Sequence, residues 1–127
     1  MATEENFLCK QIKALAKAIV NVLFHEDEYH YVLPEDGNYN DYDNLYIRIM
    51  DLMNNHEYNQ AEDILFDSID GRNPVFMKMA FSFYEKMALI DEKELKEHNF
   101  SVEEVEQGFL DVLRMYNIKV EKEEKSE

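Results

Sequence analysis

Apolar positions along the chain recur at steps of three and four, with no sustained alternation of period two, so the pattern predicts helices throughout. The first covers residues 5–24. Leu8, Ile12, Leu15, Ile19 and Leu23 mark one face, and Thr3 or Asn6 stands where a cap is needed. Phe7, Cys9, Ala14, Ala16, Ala18, Val20, Val22 and Phe24 carry that face around most of the cylinder, leaving Lys10, Lys13, Lys17 and Asn21 as a narrow polar stripe. A helix apolar on most sides has to be covered on most sides. The first helix is therefore expected to be central to the fold, although a second copy packed against it in a homodimer would meet the same need.

Residues 25–43 break the pattern and are expected to form a long acidic loop, with a turn at Glu35-Asp36-Gly37-Asn38. Residues 43–55 are helical again, with Leu45, Ile49, Leu52 and Met53 as the stripe and Asp41 or Asp43 as N-cap. After a turn at 54–57, a helix over 58–69 turns Ala61, Ile64, Leu65 and Ser68 or Ile69 inward, and Gly71 is expected to end it as a C-terminal glycine. Pro74 opens a helix over 74–89. There Phe81 and Tyr84 project away from Phe76, Met79 and Phe83 and create a second apolar side. Asp91 is expected to cap a short acidic helix ending at 97, and Ser101 with Glu104 reads as a capping box for a last helix over 102–116. The fold class is all-α: a small bundle of about five to six helices, one domain over 1–118, and a charged tail over 119–127.

Composition narrows the function classes. The chain has 127 residues, with 28 acidic and 13 basic side chains and a net charge of −15. That charge excludes ordinary nucleic-acid binding, which rests on basic patches, and disfavours an anionic membrane surface. Three Gly and two Pro are too few for a many-stranded sandwich or barrel. The lone Cys9 makes no internal disulfide and reads as a small core residue. The acidic start is not a secretory signal, and lysines interrupt the first helix too often for it to span a bilayer. The expected compartment is the cytoplasm.

The stretch Asn55-His56-Glu57-Tyr58-Asn59-Gln60-Ala61-Glu62 resembles the middle of a tetratricopeptide repeat, with Leu45, Leu52, Tyr58, Ala61 and Leu65 at suitable offsets and Pro74 closing the unit about one residue late. Arg48, Ile49 and Ser68 depart from that repeat, and a plain helical hairpin with alanine at the crossing accounts for the same residues. The whole chain also resembles a family of small, acidic, uncharacterised bacterial proteins. That likeness rests on Gln11-Ile12-Lys13-Ala14-Leu15-Ala16-Lys17-Ala18-Ile19 running into Leu23-Phe24, followed by the hairpin. The resemblance implies a fold and no activity.

Candidate chemistry is sparse. His25 and His30 flank three acids but lie five residues apart, which would rotate them about 140° from one another on a helix and breaks the zinc-protease spacing. A loop would still bring them and one carboxylate together as an adventitious metal site. An EF-hand loop from Asp36 fails at Asp41 and Ile47, where Gly and Glu are required, so that segment reads as a solvated acidic loop. The pairs Asp91-Glu92 and Glu103-Glu104 read as charges favoured at helix starts. No nucleophile stands in a recognisable context and no glycine-rich phosphate loop is present. No catalytic residue, metal ligand or cofactor is assigned, and the chain is read as a non-enzyme.

The reading that remains is a protein-interaction module whose partner is an unknown protein, selected by charge to be basic. Its candidate contact residues are Tyr29, Tyr31, Tyr39 and Tyr42 with Glu35 and Asp36, since tyrosine offers contact area at low entropic cost and the acids select positive charge. The alternative is an acidic inhibitor that mimics nucleic acid in a basic groove, its acids densest over 26–43 and 91–106. An enzyme or ligand-binding bundle would need a polar pocket holding His or buried acids.

Overall fold

The computed structural model describes residues 6–120 and builds them into six helices with no strand among them: α1 (Phe7–Phe24), α2 (Asp41–Asn54), α3 (Tyr58–Ser68), α4 (Pro74–Ala88), α5 (Glu92–Glu97) and α6 (Val102–Met115). Thr3 and the tail from 121 onward lie outside the described residues. Of the expected tail, residues 119 and 120 are described, and Val120 is partly buried against the core.

The central helix is α4, not α1. It packs against α1, α2, α3 and α6, and nine of its residues are buried, including Met77, Met79, Phe81, Phe83, Tyr84 and Met87. Both apolar sides expected of it are used. Helix α1 packs chiefly on α4, through Cys9, Ile12, Ala16 and Val20, and leaves Phe7 and Val22 at 76% and 69% exposure. The physical reason is residue size. The outer part of α1 mixes Lys10, Gln11, Lys17 and Asn21 with the small Ala14 and Ala18, which together contribute little burial energy, whereas α4 carries large side chains all round and gains more from the centre.

The chain ends of the helices explain how they start. Asn6 caps α1, its side chain accepting from the Cys9 N–H at 2.8 Å while its Nδ2 donates to the Ala88 carbonyl at 2.7 Å. One residue thus starts α1 and ties it to the end of α4. The N-cap of α2 is Asn40 rather than Asp41 or Asp43. Asp43 instead takes the third helical position, accepting from the Asn40 N–H while Asn40 accepts from its own N–H, a reciprocal capping box. Ser101 accepts from the Glu104 N–H at 3.1 Å, but no reciprocal bond from Glu104 accompanies it. Asp91 precedes α5 without a side-chain capping bond. Gly71 does not end α3 in a left-handed conformation, because α3 stops at Ser68 and continues through an extended Ile69. Gly71 is small for a different reason: a Cβ there would collide with the Met115 carbonyl at the end of α6.

Residues 25–40 contain no helix and run from the end of α1 to the start of α2, with the backbone N–H of Tyr31 bonded to Ser82 Oγ of α4 at 2.8 Å. Turns 54–57 and 98–101, at the ends of α2 and α5, lie side by side, joined by Asn59 Nδ2 donating to the Asn99 carbonyl at 2.9 Å. No helix is long and apolar enough to cross a membrane among the described residues.

Candidate functional site

The six residues singled out from sequence divide between core and surface. Tyr29 is buried, its ring 4.0 Å from that of His30, and Glu85 accompanies burial in pushing its hydroxyl well above the usual tyrosine range. Tyr31 is half-buried, lies tilted against Tyr46 with ring centroids 4.8 Å apart, and donates to Asp43 Oδ1 at 2.5 Å. Burial, then Asp43, pushes the Tyr31 hydroxyl up as well. These two tyrosines fasten the 25–40 segment to the core. Tyr39 and Tyr42 are exposed at 43% and 40%, with Glu35, Asp36 and Asp41 exposed around them. Tyr42 lies edge-on to Phe76 at 5.5 Å and its hydroxyl accepts from Asn73 Nδ2 at 3.3 Å, so its ring is held in place. The surface part of the candidate set is therefore Tyr39, Tyr42, Glu35 and Asp36.

His25 and His30 do not converge. His25 ends α1 in a left-handed conformation, whereas the two ring nitrogens of His30 meet Glu28 Oε2 and Glu85 Oε1, each at 2.9 Å. The backbone and ring of His30 hold the Glu28 carboxyl below its ordinary range. Lys13 joins the same group at 3.7 Å from Glu85. Its chemistry is that of a clasp between the 25–40 segment and α4.

A second polar group sits between α3, α4 and α6. The Tyr84 hydroxyl donates to Glu62 Oε2, and both face Gly108, where any Cβ would overlap the tyrosine hydroxyl. Glycine at this position is what lets α6 approach α4 over a polar pair. Burial raises the Glu62 carboxyl above its ordinary value of 4.5, with Glu104, Asp63 and Asp111 adding to it and the Tyr84 bond opposing it. A raised acid stabilises the fold below pH 4.5, and that contribution is lost as pH rises through the folded value. Glu62→Gln keeps an acceptor for Tyr84 and removes the buried charge. It is expected to be more stable than the parent at pH 7, with the difference vanishing below pH 4.5 in urea titrations at the two pH values.

The third group was not legible in the sequence. His56 in the α2–α3 turn, Glu94 in α5 and His98 at the end of α5 bring a donor atom each to within 4.8 Å of one another. His56 Nδ1 is 3.0 Å from Glu94 Oε2, and the two imidazoles stack with centroids 4.6 Å apart and planes 8° from parallel. The Tyr58 hydroxyl lies beneath, 3.1 Å from His56 Nδ1 and donating to Glu94 Oε2 at 3.2 Å. Burial, then Glu94, pushes that hydroxyl up to about 12. The two histidines lie 42 positions apart, and the one hint along the chain is that each sits in a turn. Whether two turns are neighbours is decided by helix packing.

These helices answer to one family description, which runs over residues 2–117 of the 127. The chain belongs to DUF6483, a family of unknown function. The match takes in all six helices of this DUF6483 protein, from the capping Asn6 to the end of α6. No curated protein and no solved structure matches it.

Proposed function

We propose that the chain is a non-enzymatic protein-interaction module that associates with a second copy of itself through α1 and presents the acidic 34–42 segment to a basic protein partner. The observation that carries this reading is the uncovered outer side of α1. Phe7, Gln11, Ala14, Ala18 and Val22 fall on one side of the helix, opposite Cys9, Ile12, Ala16 and Val20, and all five are exposed. Half-buried Leu8, Leu15 and Ile19 extend that side toward the core.

Its layout suits an antiparallel self-pairing. Large residues stand at the two ends and alanines in the middle, so a two-fold axis near Ala14 and Leu15 sets Phe7 against the partner's Val22 while the alanines let the backbones approach. Charge supports the same surface. Two copies of charge −15 repel, yet α1 has no Asp or Glu, unlike each of the other five helices. A tetratricopeptide-like character for the α2–α3 hairpin is supported by complete burial of Ala61 and Leu65 and near-complete burial of Tyr58. Tyr39 and Tyr42, ringed by Glu35, Asp36 and Asp41, remain outward in such a dimer as the surface for a basic partner.

Sedimentation equilibrium at micromolar concentration tests the reading. The parent is expected to be a dimer that moderate salt tightens by screening the net charge. Ala18→Glu, at an exposed helical position where the monomer loses nothing, is expected to be monomeric with unchanged helix content. A parent that stays strictly monomeric in salt would overturn it.

A further inference from the structure

We infer that His56, Glu94 and His98 form a binding site for one divalent transition-metal ion of the zinc type, which fastens α5 to the turn between α2 and α3. Two imidazoles and a carboxylate are the donor set that such an ion prefers, and three protein ligands leave a fourth position open to water. The donors come from two separate turns and already stand within 4.8 Å of one another. The shift needed to close on an ion is therefore small.

The surroundings fit a cation. Asp91, Lys93 and Glu97 line the same shallow groove of about 390 Å³, so with Glu94 its lining carries three acids against one lysine. Tyr58 supports the site from below by bonding both His56 and Glu94 and so orients two ligands together, the role that outer partners of metal sites perform. An ion pair between His56 and Glu94 explains two members and leaves the third unexplained. His98 lies flat on His56 and so places a third donor beside the pair, on the side open to solvent.

A metal sits in the plane of each imidazole it binds, so nearly parallel rings have to splay when an ion enters. Both have room to do so, since the His56 side chain is 48% exposed and His98 is half-buried at the rim. The consequence for the fold is local. Helix α5 is only 6 residues long and Leu95 is its one buried residue, so it is too short to hold its shape alone. A bond from its two ligands across to His56 would hold it on the hairpin.

The test uses the full chain, stripped with a chelator that is then removed, and titrated with Zn²⁺ by calorimetry, thermal unfolding and NMR of the histidine rings. One ion per chain is expected, with the His56 and His98 ring signals shifting together and a melting temperature raised by about 5–10 °C at roughly hundredfold excess over Kd. His56→Asn, which tolerates the left-handed backbone at φ 65°, and His98→Gln are each expected to weaken binding at least about tenfold while keeping parental helix content without metal. The double variant His25→Gln/His30→Gln is expected to bind as the parent does. Mg²⁺, which prefers oxygen ligands, is expected to leave the ring signals unmoved. Absence of Zn²⁺ binding, equal binding by the His56 and His98 variants, or loss of binding only in the His25/His30 variant would each overturn the assignment.

Discussion

Phe81→Ala is expected to lower folding stability by about 3–5 kcal/mol, the range for removing a large side chain from a core that cannot close over the gap. Phe81 has no exposed surface, and its ring lies 5.7 Å from that of Phe109 on α6. Collapse around the cavity is hindered because α4 is held by α1, α2, α3 and α6 together. A domain of this size commonly has about 5–15 kcal/mol in total, so the variant should sit near the edge of folding. Urea titration measures it through a lower midpoint at unchanged slope. The informative control is Phe7→Ala. Phe7 belongs to a helix that is equally apolar by composition but is 76% exposed, so its loss is expected to change monomer stability by no more than about 0.5 kcal/mol. Equal costs at the two positions would show that α1 and α4 share the centre.

Asp43→Ala is expected to cost about 2–4 kcal/mol, which is large for a residue whose location in sequence is merely the start of a helix. Asp43 is 5% exposed and serves two structures at once. Its Oδ2 accepts from the Asn40 N–H at 2.9 Å and completes the capping box, while its Oδ1 accepts the Tyr31 hydroxyl at 2.5 Å and so anchors the 25–40 segment. Loss of the cap contributes about 1 kcal/mol. A half-buried tyrosine hydroxyl left without its acceptor contributes about 1–3 kcal/mol more. Asp43→Asn offers one oxygen where two are used, so it should fall between parent and alanine. Urea titration combined with near-ultraviolet circular dichroism of the tyrosines separates the two contributions, because loss of the anchor changes the tyrosine signal and loss of the cap alone does not. An Asn variant as stable as the parent would mean that only one of the two bonds matters.

Aspartate is polar and stands beside other acids, and nothing in its neighbours along the chain marks it as buried. The same limit explains the fate of the candidate tyrosines. Tyr29, Tyr31, Tyr39 and Tyr42 share one composition and one acidic stretch, yet the first two pack inward and the last two remain outside. The division depends on where Ser82, Glu85 and Asp43 lie, and these are brought to the segment by α4 and α2. His56, Glu94 and His98 show it more sharply still, since a site assembled across two turns has no spacing to recognise.

What the chain determined by itself was the run of helices set by local periodicity and some of their end bonds, though not the cap of α2 or the end of α3. The three-and-four spacing of apolar residues places six helices, Pro74 opens α4, Ser101 caps α6, and the second apolar side of α4 is visible in Phe81 and Tyr84. What tertiary structure alone decided was which broadly apolar helix takes the centre, which glycine is small for packing rather than for turning, and which polar groups meet. Periodicity says that a face must be covered and is silent about what covers it. Gly71 and Gly108 owe their size to Met115 and Tyr84, residues distant in sequence. Burial energy rises with the area a helix can hide from water, so the large side chains of α4 won the interior, and the side of α1 with Gln11, Ala14 and Ala18 between Phe7 and Val22 was left facing out.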